Sequence, residues 1–326
     1  MRSNYFIIFT VGLILSWLFI LLLKKISLKF KILFSQGIPL VGGLGIGAAF
    51  IICYVLFMAG SLPKEMFGVI ISASIILIFG MVDDWREMSI MPKFFVQIIA
   101  ASLLILFGVK TQIVYIGNLM NIFVTLIWII GITNAFNLLD IIDGLAAGVA
   151  LISAAALFLI TFFNHDANSL VFLSALIGSI LGFLIYNLPP AKAYLGNSGS
   201  HFLGFILAAV TLIISYAPLE RKIALLAPLL VLGFAIFDTI FLILIRIRNK
   251  KIPFKKSKDH LALRFLAAGY SNRKALVLML MLSFIFSACG VLVSRLSNAW
   301  GAGIFSFMAF VGLVIAVKMN KINVGG

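Results

Sequence analysis

Apolar residues along this chain gather into long, unbroken runs separated by short polar or charged breaks, and they do not alternate within the runs. The runs fall at residues 5–23, 39–60, 66–82, 94–109, 118–133, 144–163, 170–187, 201–216, 223–247, 275–294 and 299–317. A helix needs about 20 apolar residues to cross a hydrocarbon layer, and runs without alternation argue against a membrane β-barrel. The pattern predicts an all-α, polytopic integral membrane protein with about eleven transmembrane helices. These form a single transmembrane domain over residues 1–326. The first run has no small-residue cleavage site after it and reads as a retained span.

Composition sharpens this reading. Residues of the AVILMFWYC set make up 63% of the chain and charged residues 11%, with a mean hydropathy of +1.22. That leaves too little polar surface to coat a water-soluble globule, and it excludes a soluble enzyme, a disulfide scaffold and a disordered tail. Cys53 and Cys289 sit inside apolar runs and read as packing residues, not as a disulfide. The formal net charge is +15. When the 24–38 loop and every second loop after it share one side, that side holds all the Lys and Arg except Arg2, Lys64, Lys110, Arg221, Lys222 and Arg295. The positive-inside rule makes the richer side cytoplasmic, with the N-terminus outside and the C-terminus inside. Membrane lipids are the natural partners of such a face. Nucleic acid is not, because no soluble domain offers it a groove.

The ten acids can be placed one by one. Glu65, Asp166 and Glu220 fall in short external loops. Asp83, Asp84, Glu87, Asp140, Asp143, Asp238 and Asp259 all lie at or near cytoplasmic ends of spans, with only Asp238 reading as deeper. Ionisable groups at membrane depth are costly and mark function by default, so one polar site at the cytoplasmic interface is the economical explanation.

Four elements would build that site. In GMVDDWREM, Asp83 and Asp84 end the third span and need Arg86, Lys93 or a cation to offset their repulsion. In NAFNLLDIIDG, Asn134, Asn137, Asp140 and Asp143 recur every third residue, giving a slowly turning polar stripe on a helix that must face a cavity or the bundle interior. In YNLPPAKAYLGNSGSHFLGF, Pro189 and Pro190 stop a span. Gly196 to Ser200 then form a small-residue turn whose N–H groups, with the following helix N-terminus, suit a phosphate. His201 falls just inside that helix. In FKKSKDHLALRFLAAGYSNRKAL, a short interfacial helix carries His260 and Arg264 four residues apart on one face.

In this order, the elements resemble the polyprenyl-phosphate N-acetylhexosamine-1-phosphate transferase family. That family contains phospho-MurNAc-pentapeptide translocase and the GlcNAc-1-phosphate transferases that initiate bacterial wall and surface polysaccharides. The likeness runs from IPLVGGLGIG at 38–47 to KDHLALRFLAAGYS at 258–271, and it includes the FDT of 237–239 and the spacing of Asn187 and Asn197. The eleven-span, N-outside topology is that of the GlcNAc-1-phosphate branch. The resemblance implies transfer of a HexNAc-1-phosphate, as GlcNAc-1-phosphate, from a UDP-N-acetylhexosamine to undecaprenyl or another polyprenyl phosphate. UMP is released at the cytoplasmic face of the cell membrane, in the first membrane step of polysaccharide synthesis. The cofactor is magnesium, with manganese as an alternative, and a homodimer stays open.

The resemblance further implies an active site formed by the loops near 24–38, 83–93, 134–143, 188–200 and 248–274. Asp83, Asp84, Asp140 and His260 would be catalytic, and Asp83, Asp84, Asp140 and Asn197 would hold the metal. Lys31, Asn134, Asn137, Asp143, Asn187, Tyr194 and Arg264 would bind substrate, with Asp143 and Tyr194 on the uracil and His260 and Arg264 at the sugar or its phosphates. The chain departs from its relatives at three places. Asn197 replaces the Asp of GDSGS and removes a negative charge from the metal set. Ile141 takes the second position of DGxDG. Ala262 and Leu263 replace the later histidines of His-x-His-His. Two readings follow, an active transferase and a catalytically impaired member that binds polyprenyl phosphate or nucleotide sugar as a partner or regulator. A secondary transporter would instead carry its acids at mid-membrane on paired broken spans.

Overall fold

The computed structural model describes residues 4–58, 60, 62–217, 220–248, 250 and 259–322. The chain divides into two compact units, one up to Ser215 and one from Tyr216 onward.

The first unit contains α1 (Tyr5–Phe30), α2 (Gly42–Met58), α3 (Lys64–Trp85), α4 (Ile90–Leu106), α5 (Gly117–Leu139), α6 (Leu145–Phe163), α7 (Ala167–Asn187) and α8 (Gly196–Ile213). Between α1 and α2, strands β1 (Phe34–Ser35) and β2 (Ile38–Pro39) pair antiparallel, Phe34 opposite Pro39. The turn between them has positive φ at Gln36 (50°) and Gly37 (81°), which suits a two-residue hairpin. This hairpin corrects the expectation of a plain loop over 24–38. The helix instead runs on to Phe30, placing Lys24, Lys25 and Lys29 on α1.

Helix α8 lies inside this unit, packed by α2, α3, α5 and α6. In a membrane, helices are drawn together by close backbone approach and by interhelical hydrogen bonds more than by hydrophobic burial. Both are present. A Cβ on Gly43 of α2 would sit 2.1 Å from the Gly199 nitrogen of α8, and one on Gly80 of α3 would sit 2.4 Å from the Ser198 Cα. Deeper in the unit, the Trp128 indole of α5 donates to the Thr211 hydroxyl of α8 at 3.0 Å. Phe50, Tyr54, Phe172 and Phe202 form an edge-to-face aromatic core across α2, α7 and α8, with Phe50 and Phe172 centroids 4.8 Å apart.

The second unit contains a 3₁₀ turn (Lys222–Leu226), α9 (Ala227–Val231), α10 (Gly233–Arg248), α11 (Leu261–Ala267), α12 (Asn272–Arg295) and α13 (Asn298–Asn320). Helix α12 packs against each of the other helices here. The continuous span expected over 223–247 is broken, with a 68° bend between Lys222–Val231 and Gly233–Arg248. Pro228 starts a new helix in its first turn, and Gly233 lets α10 begin against Phe286 of α12.

Among the described residues, eight helices are long and apolar enough to cross a membrane, nine if the bent pair is one span. Gly42–Met58 and Ile90–Leu106 are shorter apolar helices. The chain is therefore a helical, multi-pass membrane protein.

Candidate active site

The site grows from the N-terminus of α8. A helix start presents unsatisfied N–H groups and a positive dipole end, and the Asp84 carboxylate occupies it. It accepts from the Asn197 N–H at 2.6 Å, the Ser198 N–H at 3.0 Å and the Ser198 hydroxyl at 2.7 Å. Gly196 makes this possible. Its φ is +74°, and a Cβ there would lie 2.6 Å from the Asp84 Oδ2. The phosphate-cradling turn expected over Gly196 to Ser200 is therefore corrected. These residues are the first turns of α8, and their leading N–H groups are taken by a carboxylate of the chain itself.

Asp83 faces elsewhere, accepting from the Met88 N–H at 2.8 Å and lying 2.6 Å from the Lys93 ammonium of α4. The Asp83 side chain is fully enclosed, while that of Lys93 is 21% exposed. Separate partners thus meet the repulsion of the neighbouring acids. Arg86, the other expected counter-charge, stacks over Trp85 at 5.1 Å.

Helix α5 supplies the next layer. Asn134 donates to Gln97 of α4 at 2.7 Å. Asn137 donates to the Asn197 side-chain oxygen at 2.9 Å and to the Ser200 hydroxyl at 3.0 Å. The polar stripe does not continue as one helix face, because α5 stops at Leu139 and Asp140 has non-helical φ/ψ of −80° and 68°. The chain then turns into α6 through Gly144, whose φ is +80°. Asp143 turns to accept the Ala191 N–H at 3.0 Å. Asn187, buried at the end of α7, accepts from Gly144 N–H at 2.9 Å and donates to the Ala193 carbonyl at 3.0 Å. Its amide thereby ties the 140–144 turn to the 188–195 loop. Backbone bonds from Tyr194 N–H to Pro39 O (2.8 Å) and from Gly42 N–H to Tyr194 O (2.9 Å) fasten the same loop to the hairpin.

Asp140 is the unbalanced member. Among the described residues its carboxylate has no hydrogen-bond donor, and removal from water, followed by the negative charges of Asp84 and Asp143, pushes it up to about 7. Burial and the Asp143 charge push the Tyr194 phenol up as well.

These donors suit a hard cation. Asp140 and Asp84 offer carboxylate oxygens and Asn197 an amide oxygen, and the raised carboxyl at 140 reflects burial first and the neighbouring acids second, both of which a cation would offset. They do not form a closed cage, since among the described residues no three His, Cys, Asp or Glu side chains are grouped to hold a metal. Such an open set suits an ion that also keeps water and phosphate ligands.

The first unit thus brings together Asp83, Asp84, Asn134, Asn137, Asp140, Asp143, Asn187, Tyr194 and Asn197. Lys31 is exposed at the end of α1, with φ of 52°. Gln97 is a site-building residue that the sequence reading did not assign, and Lys93 was read there only as a counter-charge. The signal for Gln97 is helical spacing, since it lies one turn from Lys93 on α4. His201, also unassigned, is 4% exposed and its Nδ1 lies 2.8 Å from the Asn197 carbonyl.

His260 and Arg264 belong to the second unit. The basic residues Lys255, Lys256 and Lys258 lie outside the described residues. The helix expected on the membrane surface is short, and its Leu261, Ala262 and Arg264 are buried in the unit. His260 caps it and is 7% exposed. Burial and then the Arg246 charge push its imidazole down to about 4, against the pull of Asp259. Arg264, expected at the substrate, is committed to protein carbonyls instead.

The family model for glycosyl transferase family 4 matches residues 66–215. The chain is 30% identical over 290 residues to a probable undecaprenyl-phosphate N-acetylglucosaminyl 1-phosphate transferase of Bacillus subtilis, covering 86% of this chain and 80% of that one. It is 30% identical over 279 residues to the decaprenyl-phosphate N-acetylglucosaminephosphotransferase of Mycobacterium leprae, covering 74% and 69%. It is 25% identical over 307 residues to the undecaprenyl-phosphate alpha-N-acetylglucosaminyl 1-phosphate transferase of Escherichia coli K12, covering 88% and 83%.

Proposed function

The chain belongs to glycosyl transferase family 4, and from that premise we propose that it transfers N-acetylglucosamine 1-phosphate from its UDP-sugar to undecaprenyl or a related polyprenyl phosphate, releasing UMP. The observation that carries this reading is the meeting of Asp84, Asn137, Asp140, Asp143 and Asn197 around the start of α8. It gathers the charge and oxygen donors that diphosphate chemistry needs at one end of the bundle. That end is the Lys-rich one. Eleven spans with the N-terminus outside make it cytoplasmic, where a UDP-sugar and a lipid phosphate can meet.

In the reaction, an oxygen of the lipid phosphate attacks the sugar-bearing phosphorus. The bond from that phosphorus to the bridging oxygen breaks, and the oxygen leaves with UMP. Phosphoryl transfer asks a protein mainly for positioning and charge neutralisation. Magnesium, or manganese, would supply the neutralisation when held by Asp140, Asp84 and the Asn197 amide oxygen. Asp83 is paired with Lys93, and Asn137 fixes the Asn197 amide so that its oxygen is presented in one orientation. Asp143 and Tyr194, on neighbouring loops, would hold the uracil by hydrogen bonding and stacking, and Lys31 and Asn134 would be further substrate contacts. Asn187 acts by locking the two loops together. His260, in the second unit, enters as a contact for the sugar or its phosphate on the family resemblance alone.

The test is to incubate the purified protein with labelled UDP-GlcNAc, undecaprenyl phosphate and magnesium. A lipid-linked GlcNAc-diphosphate and UMP in equal amounts are expected. No UMP from any UDP-hexosamine would refute the proposal.

A further inference from the structure

The second unit encloses five ionisable side chains. Asp238, Arg246, Asp259, His260 and Arg264 are each at most 7% exposed. Within the group, Arg264 has its Nε and Nη1 donors engaged by protein carbonyls. Its Nε donates to the Asp259 carbonyl at 3.2 Å, and its Nη1 donates to the carbonyls of Met319 at 3.0 Å and Ile322 at 2.5 Å. Its Nη2 lies 4.0 Å from the Asp259 carboxylate, and the guanidinium covers the Phe241 ring at 5.5 Å. Met319 and Ile322 are at the C-terminal end of α13, where helix carbonyls have no helical partner and a cation is favoured. An arginine that grips a phosphate does so with a free pair of N–H groups on one edge, and here Nε and Nη1 are each already engaged by a protein carbonyl, so neither edge keeps a free pair.

The same contacts bracket His260. The peptide carbonyl before it, on Asp259, is held by Arg264. Its own carbonyl accepts the Arg264 N–H at 3.1 Å. The N–H after it, on Leu261, donates to Asp238 of α10. The backbone around the histidine is thus fixed on both sides, while its buried Nδ1 has no hydrogen-bond partner among the described residues. Buried polar atoms are nearly always paired, and one held unpaired by its surroundings leaves a place for a water, an ion or a ligand to complete it.

We infer that Arg264 is a positioning residue that fastens α11 to the end of α13 and holds His260 ready for a ligand, without itself touching the sugar or its phosphates. This rests on the reading of His260 as a substrate contact. It assigns a histidine and an arginine four residues apart to two different tasks, although helical spacing alone would give them one.

Acylation by diethyl pyrocarbonate, read by peptide mass spectrometry on the full chain, tests this directly, because His165, His201 and His260 are the only histidines. Arg264→Ala is expected to speed acylation of His260 by about tenfold or more, the loss of a local packing restraint. His201, buried in the first unit, should react at its wild-type rate, and Arg264→Lys should fall between. In the transfer assay, Arg264→Ala should lower kcat with little change in KM for the UDP-sugar, and it should add little to the loss caused by His260→Gln. Unchanged acylation of His260, or acceleration of His201 alongside it, would overturn the inference. So would a raised KM with kcat intact, the mark of a direct phosphate contact. A wild-type protein that releases no UMP would remove the transfer reading, yet the acylation rates would still decide the role of Arg264.

Discussion

Asp83 and Lys93 meet at 2.6 Å with the carboxylate wholly enclosed. Removing one partner of such a pair leaves a buried charge uncompensated, at a cost of ~3–5 kcal/mol. Lys93→Met should therefore lower the thermal unfolding temperature markedly, and adding Asp83→Asn should recover most of that loss without recovering activity. Equal instability in single and double variants would show that the pair is not what stabilises this corner. Asp140 gives a pH prediction. Its carboxyl is pushed up to about 7, and its charged form is the one that serves a cation. The rate should thus fall as pH drops below about 7, approaching tenfold per unit, and saturating magnesium should move this limb to lower pH. A limb that ignores magnesium would contradict the role of Asp140. At this scale the sequence displayed the acids and amides but not their partners. Asp84 was legible as a site acid, whereas its capping of α8 depends on a chain reversal of more than a hundred residues. Lys93 could be read only as compensating charge.

Helix α8 reaches the site because Gly43 and Gly80 let it approach α2 and α3 at backbone distance. The atoms a new side chain would meet at Gly43 include the α8 backbone, which cannot rotate away. Gly43→Leu should destabilise the fold by ~3 kcal/mol or more and abolish transfer, whereas Leu44→Met, a volume-conserving change beside it, should cost less than ~1.5 kcal/mol. Comparable melting temperatures for the two variants would refute the close-packing account. The helices themselves were legible from apolar run length. Their interruptions were not. The bend at Leu232 lies inside an unbroken apolar run. The β1–β2 hairpin has strands of two residues, too short to show alternation. The end of α5 at Leu139 is set by Gly144 and the Asn187 clamp, a partner distant in sequence.

For the molecule as a whole, the distribution of Lys and Arg predicts which end faces the cytoplasm. In a background lacking Cys53 and Cys289, cysteines placed at Lys192 and Lys110 should label from opposite sides of right-side-out vesicles. Lys110→Cys should react with an impermeant maleimide from outside, and Lys192→Cys only after permeabilisation. The reverse pattern would invert the topology and put the site on the wrong face for a UDP-sugar. The membrane class and the chemistry at the loop ends were legible early because so few polar residues are available to a chain that is 63% apolar. The most direct measurement is UMP release by the purified wild-type protein beside Asp140→Asn, with UDP-GlcNAc, undecaprenyl phosphate and magnesium supplied. Release by the wild type, matched by lipid-linked product and lowered at least ~100-fold in Asp140→Asn, is the predicted result. Equal release by both proteins, or none by either, would contradict it.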